Sequence, residues 1–288
     1  MANLRGIGLM VFAMALFALA DMFIKHTGGV IPVGEILLFL GAGGAVIFGV
    51  WASIIGEKVF ARDIYSPLIL LRNAGEITGT FGFVTAITLT PISSASAIFQ
   101  ASPLAVTLGA ALFMQEKVGW RRWSAIAVGF IGVLIIIRPG LDGFQAASLF
   151  AVLAVIGLSI RDLATRAAPK GMSSVRLGTY GFAALVPAGA LLLWLNGPAT
   201  LPNPTQALQL SAALVLDVIG YYALTRAMRM GDVSIVTSFR YTRIIFAMFV
   251  GVFVFKEALD IWIVLGTCII IASGLYTFAR ERHRFASA

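Results

Sequence analysis

Apolar runs long enough to cross a lipid bilayer fill nearly the whole chain, and this feature leaves few folds open to it. A transmembrane helix needs about 20 consecutive, mainly apolar residues. Short segments rich in Gly, Pro and charge separate the runs, and no stretch remains for a soluble domain. Backbone polar groups in hydrocarbon must be satisfied within the protein, so runs of this length predict α-helices. The sequence therefore predicts an all-α integral membrane protein.

The composition argues against a soluble protein and against a nucleic-acid-binding protein. Only 12% of the residues are charged and 59% are hydrophobic, whereas soluble domains carry about 25% charged residues. The net charge of +8 does not indicate nucleic acid, because most Lys and Arg residues lie at the ends of apolar runs, next to lipid headgroups. The single cysteine, Cys268, lies within an apolar run. Neither a disulfide nor a thiolate metal site is expected, and we predict no metal and no cofactor.

Windowed hydropathy predicts ten transmembrane helices. The first run continues through Asp21 and Lys25 and resembles the later runs, so we interpret it as a retained helix and not as a signal peptide. Ten crossings place both termini on the same face of the membrane. The predicted spans are residues 4–26, 34–56, 67–89, 92–114, 122–137, 146–168, 174–196, 206–229, 233–255 and 259–279.

The distribution of Lys and Arg predicts the orientation. Fourteen basic residues fall on the face that carries the termini, three fall on the other face, and four lie within spans. Because cytoplasmic loops carry the excess of Lys and Arg, both termini are predicted to be cytoplasmic. The fourteen are Arg5, Lys58, Arg62, Lys117, Arg121, Arg122, Arg166, Lys170, Arg176, Arg226, Arg229, Arg280, Arg282 and Arg284; the three are Lys25, Arg138 and Lys256; the four are Arg72, Arg161, Arg240 and Arg243.

Comparison of the chain with itself reveals an internal repeat at a shift of 141 residues. The aligned pairs are Asp21 with Asp162, Glu76 with Asp217, Gly79 with Gly220, Ser93 with Ser234, and Glu116 with Glu257. The shift implies two five-helix units, residues 1–140 and 141–288. Because five is odd, the second unit enters the membrane from the opposite face, which makes an inverted repeat of the kind found in secondary transporters. The alternative is a duplicated scaffold that serves stability alone.

Both halves carry a pattern that resembles the EamA repeat of the drug/metabolite transporter superfamily. In the first half the pattern consists of Pro91–Ile98, Pro103, Glu116, Gly129 and Gly132. A weaker second copy runs from Gly231–Ser234 through Glu257 to Gly274. Within the superfamily, the overall likeness is closest to the YddG-type amino-acid exporters.

This resemblance implies ten helices in two inverted units around a central cavity. It implies that the fourth and ninth helices line the cavity and that the fifth and tenth lie outside. It also implies export of amino acids across a bacterial inner membrane. The second copy departs from the pattern, with Ile244 in place of Pro103 and with Arg240 and Arg243 in place of Phe99 and Ser102.

The fourth span carries the strongest candidates for a cavity lining. Pro103 cannot donate a backbone hydrogen bond, so the carbonyl group of Phe99 is predicted to be free for a substrate ammonium group. The alternative is a kink that serves packing alone. Polar side chains follow one helical face by spacings of three and four, and the shift of 141 repeats this face in the ninth span. They are Ser93, Ser96 and Gln100, and then Ser234, Thr237 and Tyr241.

Charged and aromatic side chains within spans are the remaining candidates. Glu76 and Asp217 need compensation in hydrocarbon. One interpretation is proton coupling, and the one we favour is an ion pair with an arginine within the spans. A guanidinium group can hold a carboxylate at two points, so Arg240 and Arg243 are candidates to bind either a substrate carboxylate or Glu76. The aromatic rings of Phe83 and Tyr221 are candidates for a cavity wall, with packing as the alternative.

Acidic and basic residues near the helix ends are interpreted as structural. Asp21 with Lys25, and Asp162 with Arg166, are spaced to pair along one helix. Glu116 and Glu257 end helices at the membrane interface and are predicted to shape the turns there.

The function predicted from these features is secondary transport. The expected partners are the lipid bilayer and a small-molecule substrate, most simply an aromatic or neutral amino acid, and we expect a monomer. Two alternatives are a transporter of another metabolite, such as a nucleoside or a drug, and a membrane enzyme that acts on lipid. The enzyme is disfavoured because His26 and His283 are far apart and no nucleophile motif accompanies them. No Walker motif for ATP hydrolysis is present.

Overall fold

The computed structural model describes residues 2–57, 62–115, 119–141, 144–168, 172–228, 236 and 238–286. Within these ranges the regular secondary structure is helical and contains no strand. The α-helices, numbered in chain order, are α1 (Ala2–Thr27), α2 (Val33–Ile54), α3 (Pro67–Leu89), α4 (Ile92–Phe99), α5 (Ser102–Phe113), α6 (Trp120–Ile137), α7 (Leu149–Ala167), α8 (Ser174–Asn196), α9 (Pro204–Met228), α10 (Thr242–Phe253) and α11 (Ile261–Ala286).

Local capping explains where two of the long helices begin. The Ser66 hydroxyl accepts a hydrogen bond from the backbone N–H of Ile69, and Pro67 occupies the first turn of α3, where a missing N–H costs nothing. The Ser173 hydroxyl caps α8 in the same way by accepting from the N–H of Arg176. Local capping thus contributes to the start of both helices, and the Ser173 hydroxyl also donates a hydrogen bond to the carboxylate of the distant Glu57.

Seven helical segments among the described residues are long and apolar enough to cross a membrane. The other three predicted spans differ from them for identifiable reasons. The span Pro67–Leu89 contains Arg72 and Glu76, and the described helix of the ninth span, Thr242–Phe253, has only 12 residues. The apolar part of the last helix, Ile261–Thr277, is also shorter.

The fourth and ninth spans are not single continuous helices. The fourth divides into α4 and α5, with Gln100 and Ala101 between them. In the ninth span, a 3₁₀ turn at Phe239–Tyr241 precedes α10. The sequence predicted a kink at Pro103, and the structure shows instead a turn at Gln100 and Ala101 that interrupts the α-helix while both residues keep right-handed helical backbone angles. Pro103 lies in the first turn of α5, the position where proline fits a helix best.

Helices of the two halves pack mainly against each other, in the pairs α1 with α9, α2 with α8, α3 with α7, and α6 with α11. The shift of 141 exchanges the first and third of these pairs. In α3 a Cβ on Gly79 would meet the side chain of Leu158, and in α9 a Cβ on Gly220 would meet Phe17. The two contacts are equivalent, because both residue pairs differ by 141 (220−79 and 158−17).

Helices α3 and α7 approach each other closely through glycine residues. A Cβ atom on Gly157 would lie 2.4 Å from the backbone nitrogen of Gly79 and 2.9 Å from the carbonyl oxygen of Gly75. Because these neighbours are backbone atoms, they cannot rotate away as a side chain does. Glycine at 157 therefore allows the two helices to lie backbone against backbone, in the manner of small-residue interfaces in membranes.

Candidate functional site

A cavity lies between the two halves of the helical bundle. The centre of a water molecule can occupy a volume of about 150 Å³ within it. On the same measure one water molecule needs about 10–15 Å³, so the cavity is large enough to hold water or a small solute. Its lining comes from α1, α2, α3, α7, α8 and α9, from both pieces of the fourth span, and from the region of Arg240 and Arg243. The described residues of α6 and α11 lie outside this lining.

The breaks in the fourth and ninth spans touch each other beside the cavity. The side-chain amide of Gln100 donates a hydrogen bond to the backbone carbonyl of Tyr241, at 2.9 Å. Both residues are buried, and they are equivalent under the repeat (241−100 = 141). Two interrupted spans that meet beside a cavity match the architecture in which secondary transporters place their substrate sites.

Nine of the residues predicted for the site line this cavity. They are Glu76, Phe83, Phe99, Gln100, Pro103, Asp217, Tyr221, Arg240 and Arg243. They come from both halves of the chain and from α3, the fourth span, α9 and the segment before and within α10.

Three predicted residues lie elsewhere. The hydroxyl and backbone N–H groups of Ser93 donate to the carboxylate of Glu257. The side chain of Ser96 is buried among its neighbours, and the Tyr241 hydroxyl points at Gly274 of α11. Every residue of α4 is buried, so a spacing of three and four does not distinguish a cavity face from a packing face there. The predicted partners Ser234 and Thr237 lie outside the described residues.

Glu76 lies at the centre of an ion-pair network at one side of the cavity. One of its carboxylate oxygens accepts from Arg72 and the other from Arg161, each at 3.1 Å. Arg72 also reaches the hydroxyl of Tyr221 at 3.4 Å. The guanidinium group of Arg72 is almost fully buried, so these contacts compensate a charge that water does not reach.

The two arginines that distinguish the second repeat pair with the acids of α1 and α7. Arg240 lies 3.5 Å from Asp162, which also pairs with Arg161 at 2.8 Å. Arg243 donates to Asp21 at 2.7 Å. These pairs connect the ninth span to the equivalent helices of both halves (162−21 = 141).

Aromatic rings surround the guanidinium group of Arg243. Its central carbon lies 4.7 Å from the ring centre of Phe83, 5.1 Å from that of Phe99 and 5.4 Å from that of Phe17. The rings of Phe83 and Phe99 are 5.0 Å apart. Cation–π attraction adds to the ion pair with Asp21 and holds Arg243 in place.

The structure corrects the two pairs predicted along single helices. Asp21 binds Arg243 and Asp162 binds Arg240, both of which approach from the ninth span. Asp162 also binds Arg161, its neighbour in α7. Lys25 donates instead to the carbonyl groups of Ile87 and Thr90 at the end of α3 and lies 3.7 Å from Glu257.

Glu257 has a more specific role than the turn residue that the sequence predicted. Its carboxylate accepts hydrogen bonds from the backbone N–H groups of Ile92 and Ser93 and from the Ser93 hydroxyl. It thereby caps the N-terminus of α4, while Lys25 caps the C-terminus of α3. The equivalent residue, Glu116, lies outside the described residues.

Several lining residues were not predicted for the site. Asp21 and Arg161 line the cavity, and Phe17 and Phe182 add aromatic surface. The two charges had a signal in the sequence, because each lies inside a span and so requires a partner. The two phenylalanines had none, since most aromatic residues of a membrane bundle serve packing.

A bundle of apolar helices around a charged, solute-sized cavity is the architecture of an integral membrane transporter. Residues 4–138 and residues 145–279 each match the model of the EamA-like transporter family. The chain belongs to this family. It is accordingly a multi-pass membrane protein that transports a small molecule, and it is not an enzyme.

Curated relatives differ in the substrates that their names state. The chain is 30% identical over 206 residues to a riboflavin transporter of Rhizobium johnstonii, an alignment that covers 72% of this chain and 68% of the relative. It is 23% identical to an S-adenosylmethionine uptake transporter of Rickettsia conorii, covering 97% and 94% of the two chains. It is 27% identical to a pseudopaline exporter of Pseudomonas aeruginosa, covering 93% and 94%.

The fold also has a counterpart among solved structures. One crystal structure superposes with a TM-score of 0.65 at 17% sequence identity, and the match covers 98% of this chain and 99% of that chain. At this identity the likeness concerns the fold alone.

Proposed function

We propose that the chain is a secondary transporter that moves a small metabolite across a bacterial inner membrane by alternating access. The observation that carries the proposal is the cavity at the contact between the two interrupted spans, lined by residues of both repeats. Rocking of one repeat against the other around such a site exposes it first to one side and then to the other.

We propose further that the chain crosses the membrane ten times, as two inverted units of residues 1–140 and 141–288 with cytoplasmic termini, and acts as a monomer. The equivalent contacts of Gly79 with Leu158 and of Gly220 with Phe17 support the two-fold relation. The excess of Lys and Arg on one face supports the orientation.

The substrate that we propose is an amino acid, aromatic or neutral, and the direction is export. A cavity that combines buried ion pairs with the rings of Phe83, Phe99 and Phe182 suits a small molecule with charged and apolar parts. The relatives named for riboflavin and S-adenosylmethionine make these two compounds the main competitors.

A substrate panel in proteoliposomes tests this function. Purified protein is reconstituted, and counterflow uptake is measured with labelled phenylalanine, leucine, riboflavin, S-adenosylmethionine and a nucleoside, with protein-free liposomes as the blank. We expect saturable uptake of an amino acid. Uptake of riboflavin or S-adenosylmethionine alone would support the transport function but show that the proposed substrate is wrong. The absence of saturable uptake for every compound would contradict the proposal.

Replacing Pro103 with Ala tests whether the break in the fourth span is needed for transport. Alanine restores the backbone N–H group and favours a continuous helix through Gln100 and Ala101. We expect near-normal abundance and an uptake rate lowered by about tenfold, which corresponds to a barrier increase of about 1.4 kcal/mol.

The matched control is Pro187→Ala. Pro187 lies inside α8 but is exposed and outside the cavity lining. We expect this variant to retain uptake within about twofold of the parent. If Pro103→Ala and the parent have equal uptake rates, Pro103 serves only the packing of the helices.

A further inference from the structure

Asp217 differs from the other acidic residues in and around the cavity because it has no ion pair or hydrogen bond with the described residues. The four arginines are already engaged with other acids. Arg72 and Arg161 bind Glu76, Arg161 and Arg240 bind Asp162, and Arg243 binds Asp21. The interpretation favoured from the sequence, an ion pair, therefore holds for Glu76 and not for Asp217.

The internal repeat shows how this difference arises. Asp217 is the equivalent of Glu76 (217−76 = 141), but the equivalents of the two arginines that bind Glu76 are alanines. Arg72 corresponds to Ala213 (213−72 = 141), and Arg161 corresponds to Ala20 (161−20 = 141). Both alanines are completely buried. The second unit thus has the acid without either of its cations.

The surroundings of Asp217 do not replace the missing cations. The charged groups that act on it are Asp21 of α1, which is itself an acid, and Arg243, which is bound to Asp21. From α2 and α8 the cavity lining contributes Leu40, Gly178, Gly181, Phe182 and Leu185, of which none is ionisable. A carboxylate in such a setting is costly unless a cation accompanies it.

We infer that Asp217 binds the positively charged group of the transported substrate, an ammonium group or another organic cation. This inference rests on the proposed transport function and names the chemical class that the cavity selects. Among the described residues each arginine of the network already pairs with a carboxylate, so an anionic group has to compete with that acid for the guanidinium group.

Binding of three compounds with the same phenyl ring tests the inference. The probes are phenethylamine, which is a cation, L-phenylalanine, which is a zwitterion, and 3-phenylpropionate, which is an anion. Their dissociation constants for the purified full chain in detergent are measured by calorimetry. We expect the amine and the amino acid to bind at least about tenfold more tightly than the anion.

Substitution of the acid then locates the effect. Asp217→Asn is expected to weaken binding of the amine by about tenfold or more, and Asp217→Glu is expected to restore most of it. Asp260→Asn makes the same chemical change at a partly exposed ion pair with Arg138, outside the cavity lining, and is expected to leave binding unchanged. Elution volume and melting temperature verify that each variant is folded.

Three outcomes overturn the inference. They are equal binding of the amine by the parent and Asp217→Asn, tightest binding of the anion, and no binding of the amine or the amino acid to the parent. If the Asp217→Asn variant binds the amine normally and loses only its response to a pH gradient, Asp217 carries a proton and does not bind the substrate cation. Failure of the transport proposal is separate, because it appears as absence of uptake across the whole substrate panel.

Discussion

Replacing Glu76 with Gln is expected to lower the melting temperature of the purified protein by on the order of 10 °C and to remove most of its transport activity. The two oxygens of Glu76 bind Arg72 and Arg161, at 3.1 Å each. Removing one member of a buried ion pair leaves an uncompensated charge and costs about 3–5 kcal/mol. Here the remaining partners are two guanidinium groups, of which Arg161 retains Asp162. Thermal unfolding in detergent and counterflow uptake measure the two effects.

Asp217→Asn is the internal control for this prediction, because it neutralises the equivalent acid in the other repeat. Asp217 has no arginine partner among the described residues, so its loss strands no cation. We expect a melting temperature equal to or above that of the parent. If Glu76→Gln melts at the parental temperature, the network does not stabilise the bundle. If both variants melt at equally lowered temperatures, the difference in arginine partners between Glu76 and Asp217 does not affect the stability of the protein.

Gly157→Ala is expected to destabilise the protein and to reduce the yield of folded protein several-fold. The added Cβ would lie 2.4 Å from the Gly79 nitrogen and 2.7 Å from its Cα. These atoms belong to the backbone of α3, so the two helices must separate to admit one methyl group. Overpacking of this kind costs about 1–3 kcal/mol, and the same movement displaces Arg161 from Glu76. Fluorescence-detected size-exclusion chromatography and a melting curve give the readout.

Gly8→Ala provides the matched control, since it makes the same change in α1. A Cβ at Gly8 would have no neighbour within 4 Å. Because alanine favours a helix over glycine by about 1 kcal/mol, the control is expected to be neutral or slightly stabilising. A yield of Gly157→Ala equal to that of Gly8→Ala would show that α3 and α7 do not pack as closely as the structure places them.

The two repeats share a scaffold and differ in their charges, and the difference is concentrated at a few positions. The second repeat has Arg240 and Arg243 where the first has Phe99 and Ser102, and these arginines bind Asp162 and Asp21. The first repeat has Arg72 where the second has Ala213. Among the described residues, this exchange gives Glu76, Asp162 and Asp21 an arginine partner each and leaves Asp217 as a cavity-lining acid without an ion pair.

The positions of most helices followed from the sequence alone. Runs of apolar residues are a local property, so windowed hydropathy placed α3 and α8 at the bounds that the structure shows, residues 67–89 and 174–196. The repeat was equally visible, because duplication preserves spacing. The break at Gln100 was predicted only as a kink, since the local effect of Pro103 does not reveal whether a helix bends or ends.

The sequence by itself determined that the chain is a helical membrane protein with two related halves and that its in-span charges require partners. Only the tertiary structure decided which partner each charge has. Spacing along one helix predicted that Asp21 pairs with Lys25. In the structure Asp21 pairs with Arg243, which lies 222 positions further along the chain. Local spacing likewise did not reveal that Ser93 binds Glu257, or that Asp217 has no ion pair among the described residues. Helix packing brings at least one cation to each of Asp21, Glu76 and Asp162 from a distant part of the chain, and spacing along one helix does not reveal that partner.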